Sequence, residues 1–168
     1  MNKLLQQPEY VHVLLQPMLT HALPLAAVGL LIALLARSRA ATILALILVA
    51  ATAAAVWPTV HYGDLAHDRV QGMADDAGGD WLAIHSHRAD ENAWIFYAVA
   101  VTALAALFLP RKWPKATTPL AWVTLAIALA ASGVASYIAY AGGKIRHREF
   151  RNSPPPPAEL REAQQDKD

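Results

Sequence analysis

Four apolar runs constrain this chain more than any other feature: residues 18–36, 40–58, 92–109 and 119–141 contain no Asp, Glu, Lys or Arg. A helix needs roughly 20 predominantly apolar residues to cross the hydrocarbon core of a bilayer, and each run comes close to that length. Inside lipid the backbone polar groups must be satisfied within the segment, so a run of this kind is expected to be helical. The expected fold class is all-α, an integral membrane four-helix up-and-down bundle. With 55% hydrophobic and 16% charged residues in 168, the chain is too apolar for a soluble domain of its size.

The punctuation between the runs sets the domain organisation. Arg37-Ser38-Arg39 forms a tight turn after the first run, and Trp57-Pro58 marks an interface at the end of the second. Residues 61–88 are polar and acidic and include Gly78-Gly79, which predicts a short extramembrane helical hairpin joined at 76–80 between spans two and three. Pro119 suits the first turn of the fourth helix, and Gly142-Gly143 reads as its stop. The expected division is a surface segment over 1–16, broken at Pro8; a four-span membrane domain over 17–143; and a basic, then Pro-rich and charged tail over 144–168, disordered or extended. No small-residue cleavage site precedes Arg37, so the first run reads as a retained span.

Small residues at four-residue spacing are expected to let the helices approach: Gly29 and Ala33, Ala50 and Ala54, Thr102 and Ala106, and Ala128, Ser132 and Ser136. The two short connections carry Arg37, Arg39, Arg111, Lys112 and Lys115 and no acid. The excess of Lys and Arg beside cytoplasmic span ends therefore predicts a bacterial inner (cytoplasmic) membrane protein with both termini and the central loop on the periplasmic side. The lipid bilayer is the first expected partner. The formal net charge of +1 gives no reason to expect nucleic-acid binding, and zero cysteines exclude disulfides, thiolate metal sites and covalent haem attachment. No phosphate loop, nucleophile elbow or zincin motif is present, so an enzyme is the least favoured class.

The chemistry-bearing residues are seven histidines, His12, His21, His61, His67, His85, His87 and His147, which the four-span threading gathers at one end. Span-end imidazoles converging from separate helices are how bundles hold haem or a metal ion. His21 shares a helical face with Leu25, Val28 and Gly29, and a polar ring at membrane depth is expected to face the bundle interior. The candidate cofactor ligands are His21, His87 and His147, then His61. His61 and Asp64, with His85, form a candidate metal patch. His12 and His67, on surface stretches, read as interface trim. If 85–87 is helical, the rings of His85 and His87 diverge.

Gln16-Pro17-Met18-Leu19-Thr20-His21, Tyr140-Ala141-Gly142-Gly143 followed by Arg146-His147, and His87 before the third span resemble the bacterial membrane proteins grouped as domain-of-unknown-function 2231. Members look like four-span bundles with a His-Pro-x-x-x-His opening and a Gly-Gly segment followed by histidine; here Gln16 stands at the first histidine. Such domains occur fused to cytochrome c or Rieske-type domains, so the resemblance implies a place near respiratory electron transfer and a respiratory or redox protein partner.

Two readings follow. In one, the chain binds haem b or a transition metal ion near its outer face and serves electron transfer or a respiratory assembly. In the other it is a cofactor-free structural or interaction subunit whose histidines line the interface.

Overall fold

The computed structural model describes residues 3–165; Met1, Asn2 and residues 166–168, assigned above to the two terminal segments, lie outside the described residues, as does the Arg111 side chain. After a 3-10 turn at Lys3–Gln6 come four long helices, α1 (Pro8–Leu35), α2 (Arg39–Met73), α3 (Asp76–Phe108) and α4 (Pro114–Arg146), and a short α5 (Pro157–Gln165). All four long helices are long and apolar enough to cross a membrane. Neighbours in sequence are neighbours in space, and α4 returns to α1, which closes an antiparallel up-and-down ring.

Each boundary has a local cause. Pro8 opens α1, where its missing N–H costs nothing. Arg37 reverses the chain with φ 52°, and Ser38 caps α2 by accepting from the Ala41 N–H (3.4 Å). At 28 to 35 residues the helices reach roughly 40–50 Å at 1.5 Å per residue, well beyond a hydrocarbon core of ~30 Å. The apolar runs start from the short connections, so the remaining, more polar length of the helices extends beyond them at the histidine end.

That projection corrects four expectations. Residues 8–17 do not lie apart as a surface segment: they continue into α1 and pack along the second half of α2. Between Pro17 and Pro24, which both lack an N–H, the helix widens to a π turn over Met18–Ala22 instead of breaking. Trp57-Pro58 does not end α2, and the Thr59 hydroxyl donates to the Ala55 carbonyl (2.7 Å) beside the proline. The extramembrane hairpin is therefore the outer ends of α2 and α3, joined at Ala74-Asp75, with Asp75 accepting from the Gly78 N–H (3.0 Å). Gly142-Gly143 lies inside α4, which runs on to Arg146.

The tail is folded, not extended. Arg151 donates to the Lys144 and Ile145 carbonyls (both 2.7 Å), capping α4, and its Nη1 holds both oxygens of Asp75 (2.8 and 2.9 Å). Gly78 permits this closure: a Cβ there would stand 2.6 Å from the Ile145 oxygen and 2.9 Å from Arg151 Nη2. Further on, α5 rests on α3 through Glu159, which accepts from Arg88 Nε and Nη2 (3.0 and 2.6 Å). Arg88 is buried, donates to the Tyr137 carbonyl (3.0 Å) and lies 3.7 Å over the Tyr137 ring.

Leu23, Ala27 and Leu30 of α1, Leu46, Val49 and Ala53 of α2, Phe96, Val99 and Ala103 of α3, and Ala121, Ala128 and Ala131 of α4 form the main core. Small residues do line the contacts, though not every expected one: Ala33, Ala50, Ala106 and Ala128 are buried, whereas Gly29, Ala54 and Ser136 face outward. A second cluster, Trp81, Leu82, Ile84, Ala141 and Ile145, packs the projecting end.

Candidate functional site

The projecting halves of the helices border an open-sided cavity of about 690 Å³, within the range of small-molecule and cofactor sites. Its walls are mostly apolar, among them Leu19, Val56, Phe96 and Ile138, and its polar residues include Glu9, His12, Asp64, His67, His85, Asp90, Arg146 and His147. Glu9 Oε1 pairs with Arg69 (3.0 Å), while its buried Oε2 has no hydrogen-bond partner.

Of the four candidate cofactor ligands, only His147 lines this cavity. His21 is exposed, and its Nδ1–H donates to the Thr20 hydroxyl (2.7 Å), whose own proton goes to the Gln16 carbonyl (3.2 Å). The face it shares with Leu25, Val28 and Gly29 is real but points out of the bundle, because Leu23, Ala27 and Leu30 take the inward side; Leu25 is 72% exposed. The interior direction expected for His21 is thereby corrected. His61 is exposed and stacks on Trp57, ring centres 5.6 Å apart. His147 is exposed, its Nδ1 2.9 Å from Glu149 Oε1 and its ring stacked on Phe150. His87 Nε2 lies 3.5 Å from Glu91 Oε2, one turn on.

Of the candidate metal patch, Asp64 and His85 line the cavity but His61 does not. Among the described residues no group of three or more His, Asp or Glu side chains is placed to hold a metal ion. Residues 85–87 are helical and their rings diverge: His85 faces the cavity, and His87 is not part of its wall.

The pair that the structure does bring together is His12 and His85, with ring centres 6.1 Å apart and planes at 89°. His12 Nδ1 is 2.8 Å from the Thr59 carbonyl on α2, and His85 Nδ1 is 3.0 Å from the Ile138 carbonyl on α4. A carbonyl only accepts, so both Nδ1 atoms carry the proton. His85 lies in the polar stretch of α3 ahead of the apolar run that starts at residue 92. Burial pushes its pKa down to about 4, the positive charge of Arg88 and a protonated His12 disfavour its cation further, and the Ile138 hydrogen bond opposes the shift. It is therefore neutral at physiological pH.

Sequence reasoning passed over His12, treating residues 1–16 as a surface segment. It also missed two buried cations, Arg88 and Lys144. Lys144 is 2% exposed, and its Nζ, without a hydrogen-bond partner, sits 4.2 Å from the centres of both the Trp81 and Tyr140 rings. The one legible signal was the Glu9-x-x-His12 spacing, which places both on one helical face.

No protein-family model, curated protein or solved structure matches this chain.

Proposed function

We propose that the chain is a multi-pass protein of the bacterial inner membrane, with its projecting histidine end on the periplasmic side, and that the cavity there holds a haem b used in electron transfer with a respiratory or redox partner protein. The membrane assignment is supported by four spanning-length apolar helices and by Arg37, Arg39, Lys112 and Lys115 at the short-loop end. The observation that carries the cofactor assignment is the cavity itself: a cofactor-sized, apolar-walled space into which neutral imidazole is presented. A bare metal ion would need protein donors for most of its coordination shell, and the described residues do not supply three. Haem brings four ring nitrogens of its own and asks the protein only for axial ligands. With no cysteine in the chain, attachment is non-covalent. When bound, the group supplies one-electron redox chemistry; the protein's part is to exclude water, orient the ring and set the dielectric around it.

Kinship with domain-of-unknown-function 2231 belongs to the same proposal. It is supported by Gln16, Gly142, Gly143 and His147 of its motif stretches, which line the cavity, whereas His21 and His87 of the same motifs do not. The rival reading, a cofactor-free subunit, draws on the outward rings of His21 and His61. Absorbance of the full chain purified in detergent, as isolated and after incubation with hemin, separates the two. A Soret band that stays with the protein through gel filtration is expected, and a preparation that stays colourless after hemin loading refutes the haem assignment.

A further inference from the structure

His12 and His85 occupy two copies of one local device. His12 crosses from α1 to α2 and His85 from α3 to α4, and each gives its Nδ1–H to a carbonyl four residues before a glycine: Thr59 before Gly63, Ile138 before Gly142. In an α-helix that carbonyl already accepts the N–H four residues on, here that of the glycine itself. A side chain at this position would stand in the way of an imidazole seeking the remaining lone pair. A Cβ on Gly63 would lie 2.9 Å from His12 Nδ1 and 3.1 Å from its Cε1, and a Cβ on Gly142 would lie 3.0 Å from the same two atoms of His85. The two sockets are built of the same parts and lie on opposite pairs of helices.

The consequence falls on the other nitrogen. With Nδ1 protonated, Nε2 of each ring is a lone-pair donor, the tautomer of metal-ligating histidines whose second nitrogen is fixed by a backbone carbonyl. Neither Nε2 has a hydrogen-bond partner among the described residues. Neither is among the fully buried unpartnered atoms, although both residues line the cavity. Both imidazoles thus keep an unpartnered nitrogen on residues that line the cavity, and both are held by matching sockets.

We infer that His12 and His85 are the two axial ligands of the haem b that the cavity is read to hold. The assignment rests on that reading and replaces the ligand set His21, His61, His87 and His147. Spacing supports it. Metal–imidazole bonds are about 2.0–2.1 Å, which puts opposed ligating nitrogens ~4 Å apart and their ring centres ~6 Å apart. The observed separation is 6.1 Å. The perpendicular ring planes, at 89°, set a signature: ferric haem between crossed imidazoles gives a strongly anisotropic low-spin electron paramagnetic resonance signal, unlike the rhombic signal of parallel rings.

The test is spectroscopy on the full chain in detergent, loaded with hemin, with circular dichroism as the check on folding. Wild type is expected to give a six-coordinate low-spin spectrum with the anisotropic signal. His12→Ala and His85→Ala are each expected to lose it, becoming five-coordinate and high-spin, with free imidazole restoring six-coordination. His21→Ala and His61→Ala are expected to leave it unchanged. Where an alanine variant does not assemble, His12→Met and His85→Met keep the volume, and each must shift the spectrum to that of a His/Met pair. If haem binds but either position can be replaced with the low-spin spectrum intact, or if His21→Ala abolishes it, the axial assignment is overturned and the functional reading survives. If wild type takes up no haem, both fall.

Discussion

Gly142→Ala tests the His85 socket without touching an imidazole. In an open helical position, alanine in place of glycine gains up to ~1 kcal/mol of helix propensity. Gly72, with nothing within 4 Å of an added Cβ, is such a position. At Gly142 the new methyl meets Cε1 and Nδ1 of His85 at 3.0 Å, so the ring must retreat by several tenths of an ångström and its 3.0 Å bond to the Ile138 carbonyl stretches or breaks. An Nδ1–H left unpaired in a part-buried site costs about 1–3 kcal/mol. The loss exceeds the propensity gain, and Gly142→Ala should destabilise by ~1–2 kcal/mol while Gly72→Ala is neutral or stabilising. Pairing Gly142→Ala with His85→Ala removes the clash, so the double variant should be more stable than the two single effects summed, with a coupling of ~1 kcal/mol or more. Denaturant titration of tryptophan fluorescence in a fixed detergent reads all four. A Gly142→Ala protein as stable as Gly72→Ala, or strict additivity with His85→Ala, would refute the socket.

In the haem-free chain, stability should also fall with acid through His85. Its folded pKa lies below the unfolded value of about 6.5, so the unfolded chain binds the proton first and stability is lost as pH drops from about 6.5 towards 4. The loss is bounded by ~3 kcal/mol for a dry ring and is smaller for one bordering a cavity; a His85→Asn variant with an unchanged acid limb between pH 6.5 and 4 would contradict this. Glu159→Gln removes the charge that holds Arg88 and should speed proteolytic clipping around α5 several-fold, and equal clipping rates would show that the tail is held by other contacts. Replacing Lys144, a buried cation with no hydrogen-bond partner, by Met is expected to leave stability unchanged or higher, because burying the charge costs more than the two aromatic faces return; a fall of more than ~1 kcal/mol in chemical denaturation would reverse that balance.

The broad fold was legible because it follows from length and polarity. Runs near 20 residues without charge can only be helices in lipid, and Arg37-Ser38 could only be a turn at its spacing. Helix continuity was not legible. Pro17, Pro58 and Gly142-Gly143 are breakers by intrinsic preference, yet a π turn follows Pro17, helical backbone continues past Pro58, and α4 runs through the glycines to Arg146 with Gly142 packed on His85. Direction was not legible either. Where every side of a helix is apolar, periodicity groups His21 with Leu25 and Val28 but cannot say whether that stripe meets protein or lipid. The pairing of His12 with His85 depends on two glycines on two further helices, and no local pattern joins four positions so far apart in the chain.

Arg151 has a consequence for assembly. It bridges the end of α4 to the start of α3, yet it leaves the ribosome after all four long helices, being C-terminal to them. Until it arrives, the helices can pair with their far rim unfastened. Once the guanidinium reaches Asp75, parting the ends of α3 and α4 means undoing several hydrogen bonds together, so the rim is the last part of the bundle to close and opens as one unit.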